Sequence, residues 1–197
     1  MKAILIDFDG TLANSIPFLY TTYLNFLASH GKEGNLKEFQ ELTGPKVEQF
    51  ITTLQKRYQL PIDVKEETSK YKEYLETNYI KEVLPFPDAI STIHKWDWLG
   101  RQLGIVTAAH LQLVEDFLAK HAPNIPFMIT TGEEVARSKP DPAIYRLALQ
   151  KYSLSPAEVL VIEDSPNGIK SAQGAGLKTF PFKESWYSVA QWVESNG

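Results

Sequence analysis

The stretch ILIDFDGTL, Ile4 to Leu12, decides the fold. Its opening run, Ala3–Ile6, has the length and apolar character of a buried strand, and it ends abruptly in two carboxylates and a glycine. Asp7 and Asp9 lie two residues apart, so extended backbone points both carboxylates to one side. A charge at the end of an apolar strand stays hydrated only at the sheet's edge. Gly10 allows the backbone to turn and to approach a bound phosphate closely, and Thr11 adds a hydroxyl. Taken alone, these residues admit two readings. In one, Asp7 attacks phosphorus and Asp9 is the acid and base, with a divalent cation offsetting the repulsion between anions and phosphate. In the other they form a strand-end Asx-turn beside a solvated Asp.

Working outward, Leu103–Thr107, Pro126–Ile129, Val159–Ile162 and Lys178–Phe180 read as four further short strands. Helical periodicity separates them: Leu111, Val114, Phe117 and Leu118 form one stripe, and Trp186, Val189, Ala190 and Val193 another. Strands alternating with helices predict an α/β fold, a Rossmann-like parallel sheet with helices on both faces. Residues 14–83 break the alternation with three helical stripes and no strand. These are Ile16, Leu19, Tyr20 and Tyr23; Val47, Phe50, Ile51 and Leu54; and Val64, Thr68, Tyr71, Leu75 and Tyr79. The expectation is an all-helical cap, 14–83, inserted into a core made of 1–13 and 84–197. Ala13–Pro17 and Val83–Pro87 would be the crossings. Both lie near the C-terminal edge of the first strand, where open parallel sheets bind ligands, so the insert is placed as a lid.

Other segments add candidate groups. In VLVIEDSPNGIKSAQGAG an apolar strand ends in Glu163-Asp164, with Ser165 as helix N-cap and Pro166 at the first helical position. Gly168, Ala172 and Ala175 keep one helix face small, and Gly176 fits the stop. Asp7, the Asp9 carbonyl and Asp164 make an oxygen set suited to Mg2+, with Glu163 joining directly or through water. Alternatively, the acidic pair merely complements the helix dipole. Thr107 and the Ala108 amide are placed to hold phosphate oxygens, or Thr107 is a plain N-cap. Lys139, before two prolines in SKPDP, either neutralises Asp7 and the phosphate or is a surface cation. Lys46, in TGPKVEQF, is a cation at a helix start of the insert. His30, His94 and His121 read as packing or surface residues, His110 as another such residue or as one that approaches the site, and Trp96 and Trp98 as core or hinge packing.

DFDGTL, a strand-terminal Thr, SKPDP and EDSPNG occur in that order across nearly the whole chain. This arrangement resembles the haloacid-dehalogenase-like (HAD) superfamily, and within it the phosphoglycolate phosphatase and β-phosphoglucomutase group. The resemblance implies a four-helix cap, a nucleophile at Asp7 and an acid/base at Asp9. It implies that Thr107 and Lys139 bind the phosphoryl group and that Asp164, with Glu163, binds magnesium. It also implies that the insert loop holding Lys46 descends over the site to read the substrate, the alternative for Lys46 being a solvated helix-start cation. Dehalogenases of the superfamily lack the second Asp, so the resemblance implies phosphoryl transfer. Many relatives have Ser or Asn where Ala108 stands, which removes a side-chain donor but keeps the amide. Sugar mutases carry a cap histidine at the position of Leu19, and its absence favours a phosphatase over a phosphosugar mutase. A non-catalytic binding protein on the same fold would be expected to have lost one of Asp7, Asp9, Lys139 or Asp164, and all four are present.

Composition sets the outer bounds. Net charge is −4 over 197 residues, with no basic stripe, which argues against a nucleic-acid partner. The absence of cysteine excludes disulfides, thiolate metal sites and a cysteine nucleophile. No run approaches the ~20 apolar residues that cross a bilayer, and the N-terminal apolar run is too short for a signal segment, so a cytoplasmic protein is expected. The resemblance implies that it acts on a small phosphorylated metabolite.

Overall fold

In a computed structural model, which describes residues 1–196, the five apolar runs form one parallel sheet. The strands are β1 (Ala3–Ile6), β2 (Gln102–Thr107), β3 (Met128–Thr131), β4 (Val159–Glu163) and β5 (Lys178–Pro181), in the order β3-β2-β1-β4-β5. β1 is central, with Ile6 opposite Ile105 on one side and Ile162 on the other. The chain therefore leaves β1, β2 and β4 at the same edge, which is what gathers Asp7, Thr107 and Glu163.

The third strand starts two residues later than the sequence suggests. Pro126 has no N–H for a ladder, and the Phe127 amide turns back to the Ile125 carbonyl at 3.0 Å. Pairing with β2 begins only at Met128, opposite Gly104.

Alternate side chains of the strands feed two separate cores. Ile4, Ile6, Ile105, Leu160 and Ile162 pack on one face, toward α5 (Ala89–Trp98), α6 (Leu111–His121) and α9 (Trp186–Asn196). Ala3, Leu5, Val106 and Val161 pack on the other, toward α7 (Ala143–Lys151) and α8 (Pro166–Gly174). Trp96 is buried and lies 5.8 Å from the Trp186 ring. Trp98, expected to pack, is instead 84% exposed, because it falls on the outward side of α5.

Between β1 and α5 the chain makes only helices: α1 (Ile16–Ser29), α2 (Leu36–Leu42), α3 (Val47–Tyr58) and α4 (Val64–Glu82). They build a third core from Tyr23, Leu27, Phe39, Phe50, Ile51 and Leu54. Glu38 of α2 is buried in it as a satisfied carboxylate, taking hydrogen bonds from the hydroxyls of Tyr23 and Tyr58, both at 2.5 Å, and from Arg57 at 2.8 Å. One network thus ties α1, α2 and α3 together. The two crossings run side by side: the Asn14 amide donates to the Leu84 carbonyl and the Phe86 amide to Leu12. No helix among the described residues is long and apolar enough to cross a membrane.

Candidate active site

At the C-terminal edge of the sheet a charged cluster is held together by one buried lysine. Lys139, on the loop after β3, is 3% exposed. Its Nζ donates to Asp7 Oδ1 and to Glu163 Oε1, both at 2.6 Å, and to the Val106 carbonyl at 3.2 Å, above the Tyr145 ring. Glu163 is fully buried, and its other oxygen accepts from the Ser165 amide at 2.9 Å and the Ser165 hydroxyl at 3.2 Å. Ser165 in turn caps α8, accepting from the Gly168 amide at 3.0 Å, and Pro166 opens the helix.

Two glycines permit this crowding. At Gly168 a Cβ would fall 1.5 Å from Glu163 Oε1, so any side chain there would expel the carboxylate. Gly10 has φ +82°, and a Cβ on it would stand 2.4 Å from Asp164 Oδ2. Gly10 lies outside the chamber wall; its part is the turn that lets Asp164 approach. The Thr11 hydroxyl donates to Asp164 Oδ1 at 3.0 Å.

Asp9 belongs to a different network. The Tyr79 hydroxyl, from α4, donates to Asp9 Oδ1 at 2.6 Å. Tyr79 is 1% exposed and stacks on Phe8, the residue between the two aspartates, with ring centroids 5.8 Å apart. Tyr79 reads in the sequence as one more member of an apolar stripe, and only the aspartate opposite reveals the use of its hydroxyl.

Asp7, Asp9, Lys46, Thr107, Ala108, Lys139, Glu163 and Asp164 all border one chamber of about 200 Å3 between the sheet edge and the inserted helices. Thr107 is buried, and its hydroxyl accepts from the Ala109 amide at 3.0 Å, a local cap. Lys46 borders the chamber but spends its ammonium on the Val135 carbonyl at 2.6 Å. His110 sits near the mouth with Nε2 3.0 Å from Glu133. His30 and His121 pack on Phe26 and Phe117, and His94 is exposed.

Burial and crowding dominate the electrostatics. Burial pushes the Asp7 carboxyl well up, and the Glu163 charge adds to it, against the pull of Lys139. Burial and Glu163 likewise push Asp164 up to about 7. Burial raises Asp9 too, partly countered by the Tyr79 hydrogen bond. For Lys139 burial works against the charge, but Asp7 and Glu163 outweigh it and hold the ammonium protonated. Carboxylate oxygens of Asp7, Glu163 and Asp164 lie within 4.8 Å of one another. One lysine does not neutralise three carboxylates, so the cluster suits a further cation. Both Glu163 oxygens are already engaged, whereas Asp7 Oδ2, Asp164 Oδ2 and the Asp9 carbonyl accept no hydrogen bond among the described residues. The free oxygens are the hard donors that magnesium takes.

Residues 4–181 match the profile of the haloacid dehalogenase-like hydrolases. Hexitol phosphatase A of Escherichia coli (strain K12) is 29% identical over 180 residues, which cover 89% of this chain and 80% of that protein. The bifunctional riboflavin kinase/FMN phosphatase of Arabidopsis thaliana is 27% identical over 90% of this chain, which spans about half, 47%, of that longer relative. Among solved structures, a putative β-phosphoglucomutase from Bacteroides vulgatus superposes with a TM-score of 0.80 at 25% identity, covering 98% of this chain and 81% of that one. The match extends from β1 through β5 and takes in both the carboxylate cluster and the inserted helices; the chain belongs to the haloacid dehalogenase-like hydrolase family.

Proposed function

We propose that this chain is a magnesium-dependent phosphatase that passes the phosphoryl group of a small metabolite through Asp7 to water. That it is a phosphomonoester hydrolase follows from its family and its phosphatase relatives. The intermediate, the metal and the acceptor are our reading. The observation that carries it is the division of the two aspartates between separate partners. Asp7 is tied through Oδ1 to a charged lysine, which pulls toward the ionised form against the burial and the Glu163 charge that raise its carboxyl, and it borders the chamber. Asp9 is tied to a neutral hydroxyl and sits in a buried setting that favours its proton. A cation beside one carboxyl suits an attacking anion, and a neutral hydroxyl beside the other suits a proton donor, which is the division phosphoryl transfer needs.

In the first step an Asp7 carboxylate oxygen bonds to phosphorus while the ester P–O bond breaks, and Asp9 gives its proton to the departing alcohol oxygen. In the second step Asp9 takes a proton from water, the water oxygen bonds to phosphorus, and the acyl phosphate bond breaks to restore Asp7. Lys139 balances charge on Asp7 and the phosphoryl oxygens throughout, and the Thr107–Ala108 turn offers donors to the same oxygens. Asp7, Asp164 and the Asp9 carbonyl would hold Mg2+, which supplies positive charge to let an anionic nucleophile approach an anionic substrate. Glu163 serves Lys139 in this scheme, and Lys46 holds the closing loop.

Asp7→Asn is the test, measured with an aryl phosphate in magnesium and in excess chelator. The variant should keep its fold and fall below about 1% of wild-type turnover, since loss of a covalent nucleophile costs several powers of ten. Wild type should lose activity in chelator. Substantial turnover by Asp7→Asn would remove Asp7 from the role. Structural likeness to a putative β-phosphoglucomutase favours mutase activity as a second reading. Against it, the apolar Leu19 borders the chamber where that reading needs a proton-transferring cap residue. With β-glucose 1-phosphate, predominant formation of glucose 6-phosphate over inorganic phosphate would replace the phosphatase reading.

A further inference from the structure

The chamber has two unlike halves. Its floor is the charged set of Asp7, Asp9, Lys139 and Asp164. Its roof comes from the inserted helices: Ile16 and Leu19 of α1, Leu42 of α2, Phe50 of α3, and Tyr71 and Leu75 of α4. These six belong to one continuous apolar cluster with the interior of the insert, and the Tyr71 and Phe50 rings pack with centroids 5.7 Å apart. Of the insert side chains that could greet a polar ligand, the Tyr79 hydroxyl is engaged on Asp9 and Lys46 on the Val135 carbonyl, which leaves the Tyr71 hydroxyl as an isolated polar group in an otherwise apolar roof. Of the charged residues left in the lining, Glu48, Glu76 and Glu133 are exposed and Lys72 is half-buried, so they edge the mouth.

Such a roof selects by what it fails to offer. A polyhydroxylated leaving group would exchange water for hydrocarbon, and a buried hydroxyl left without a partner weakens binding by about tenfold or more. An apolar leaving group gains by the same burial. The chamber, at about 200 Å3, is smaller than the roughly 300–1,000 Å3 of pockets that take drug-sized ligands. Part of it must hold the phosphate, which leaves room for one ring or a short chain. The three carboxylates at the mouth oppose a second anionic group.

We infer that the preferred substrates are monophosphates of small apolar alcohols, alkyl or single-ring, in preference to phosphates of sugars, polyols or nucleotides. This rests on the phosphatase reading above. The test compares kcat/KM of the full chain in magnesium for 2-phenylethyl phosphate and glucitol 6-phosphate. Both are primary alkyl monoesters, so their leaving-group chemistry is alike. Acetyl phosphate, too small to need the roof, reports the basic reaction. The phenylethyl ester should be favoured by at least tenfold, and Leu75→Asn should shrink that ratio at least threefold. A ratio below threefold in the wild-type enzyme, with acetyl phosphate hydrolysed, would overturn the substrate class and leave the phosphatase standing. Failure to hydrolyse any of the three would overturn the phosphatase reading and this inference together.

Discussion

Tyr79 holds the Asp9 carboxylate at 2.6 Å from a helix seventy residues further along the chain. The bond fixes which way Asp9 points, and its cost is one buried hydroxyl that has no water to replace it. Tyr79→Phe removes only that oxygen and keeps the stacking on Phe8 and the edge contact with Phe117. Turnover of an aryl phosphate should then fall by about three- to tenfold, the worth of one hydrogen bond of about 1 kcal/mol. KM should change little, because the proposed phosphate contacts are Thr107, Ala108 and Lys139 and not Tyr79. A KM effect larger than the kcat effect would move Tyr79 into substrate binding. Residues of this kind explain what was legible in the sequence. Asp7 and Glu163-Asp164 announce themselves, because a charge at the end of an apolar run demands a reason, whereas Lys139 is singled out only by its place in SKPDP within the family's order of motifs. Tyr79 does not, since an aromatic at helical spacing is fully explained by packing. Glu163 was visible as a carboxylate, but its bond to Lys139 depends on two distant segments meeting.

The loop before α3 shows the same limit among elements. Thr43–Lys46 descends onto the sheet edge and is fastened three times: Asn167 of α8 donates to the Thr43 carbonyl at 2.9 Å, the Lys46 ammonium donates to the Val135 carbonyl at 2.6 Å, and the Lys46 amide donates to the Ser138 hydroxyl at 3.4 Å. Gly44, at φ +99°, allows the approach, because a Cβ there would already crowd Asn167 at 3.1 Å. Strand-helix alternation revealed the sheet and the three long helices of the insert. It did not reveal α2, seven residues long, which is too short to repeat a stripe and is defined by its cap, Asn35 accepting from the Glu38 amide at 2.9 Å. Nor did it reveal the fastening, which joins backbone groups that carry no sequence signal. If these contacts hold the insert down over the substrate, Lys46→Ala and Asn167→Ala should each raise KM several-fold. Because Lys46 spends its charge on Val135, the increase should be similar for acetyl phosphate and for a larger ester. A change confined to the larger ester would mean that Lys46 reads the leaving group after all.

Across the whole molecule, the carboxylate cluster makes stability depend on pH and on metal together. Asp164 holds its proton in the folded chain up to a pH of about 7, while an unfolded chain releases it near 4, the ordinary value for Asp. Asp7 is shifted in the same direction by burial and by Glu163. Between these limits the folded state binds more protons than the unfolded state, so stability is full below about pH 4 on account of these groups and is lost as pH rises toward 7. A divalent cation at the same oxygens replaces the protons and should reverse the loss. Magnesium at about one hundred times its dissociation constant is worth about 2.7 kcal/mol, or roughly 5–10 °C in Tm for a chain of this size. At pH 8, where the carboxylates are ionised in the free protein, that full increment should appear in a thermal melt. At pH 5 the cation must first displace protons, and the increment should shrink to a small fraction. Equal increments at both pH values would place magnesium away from Asp7 and Asp164, whereas an increment confined to high pH and abolished in Asp164→Asn would locate it there.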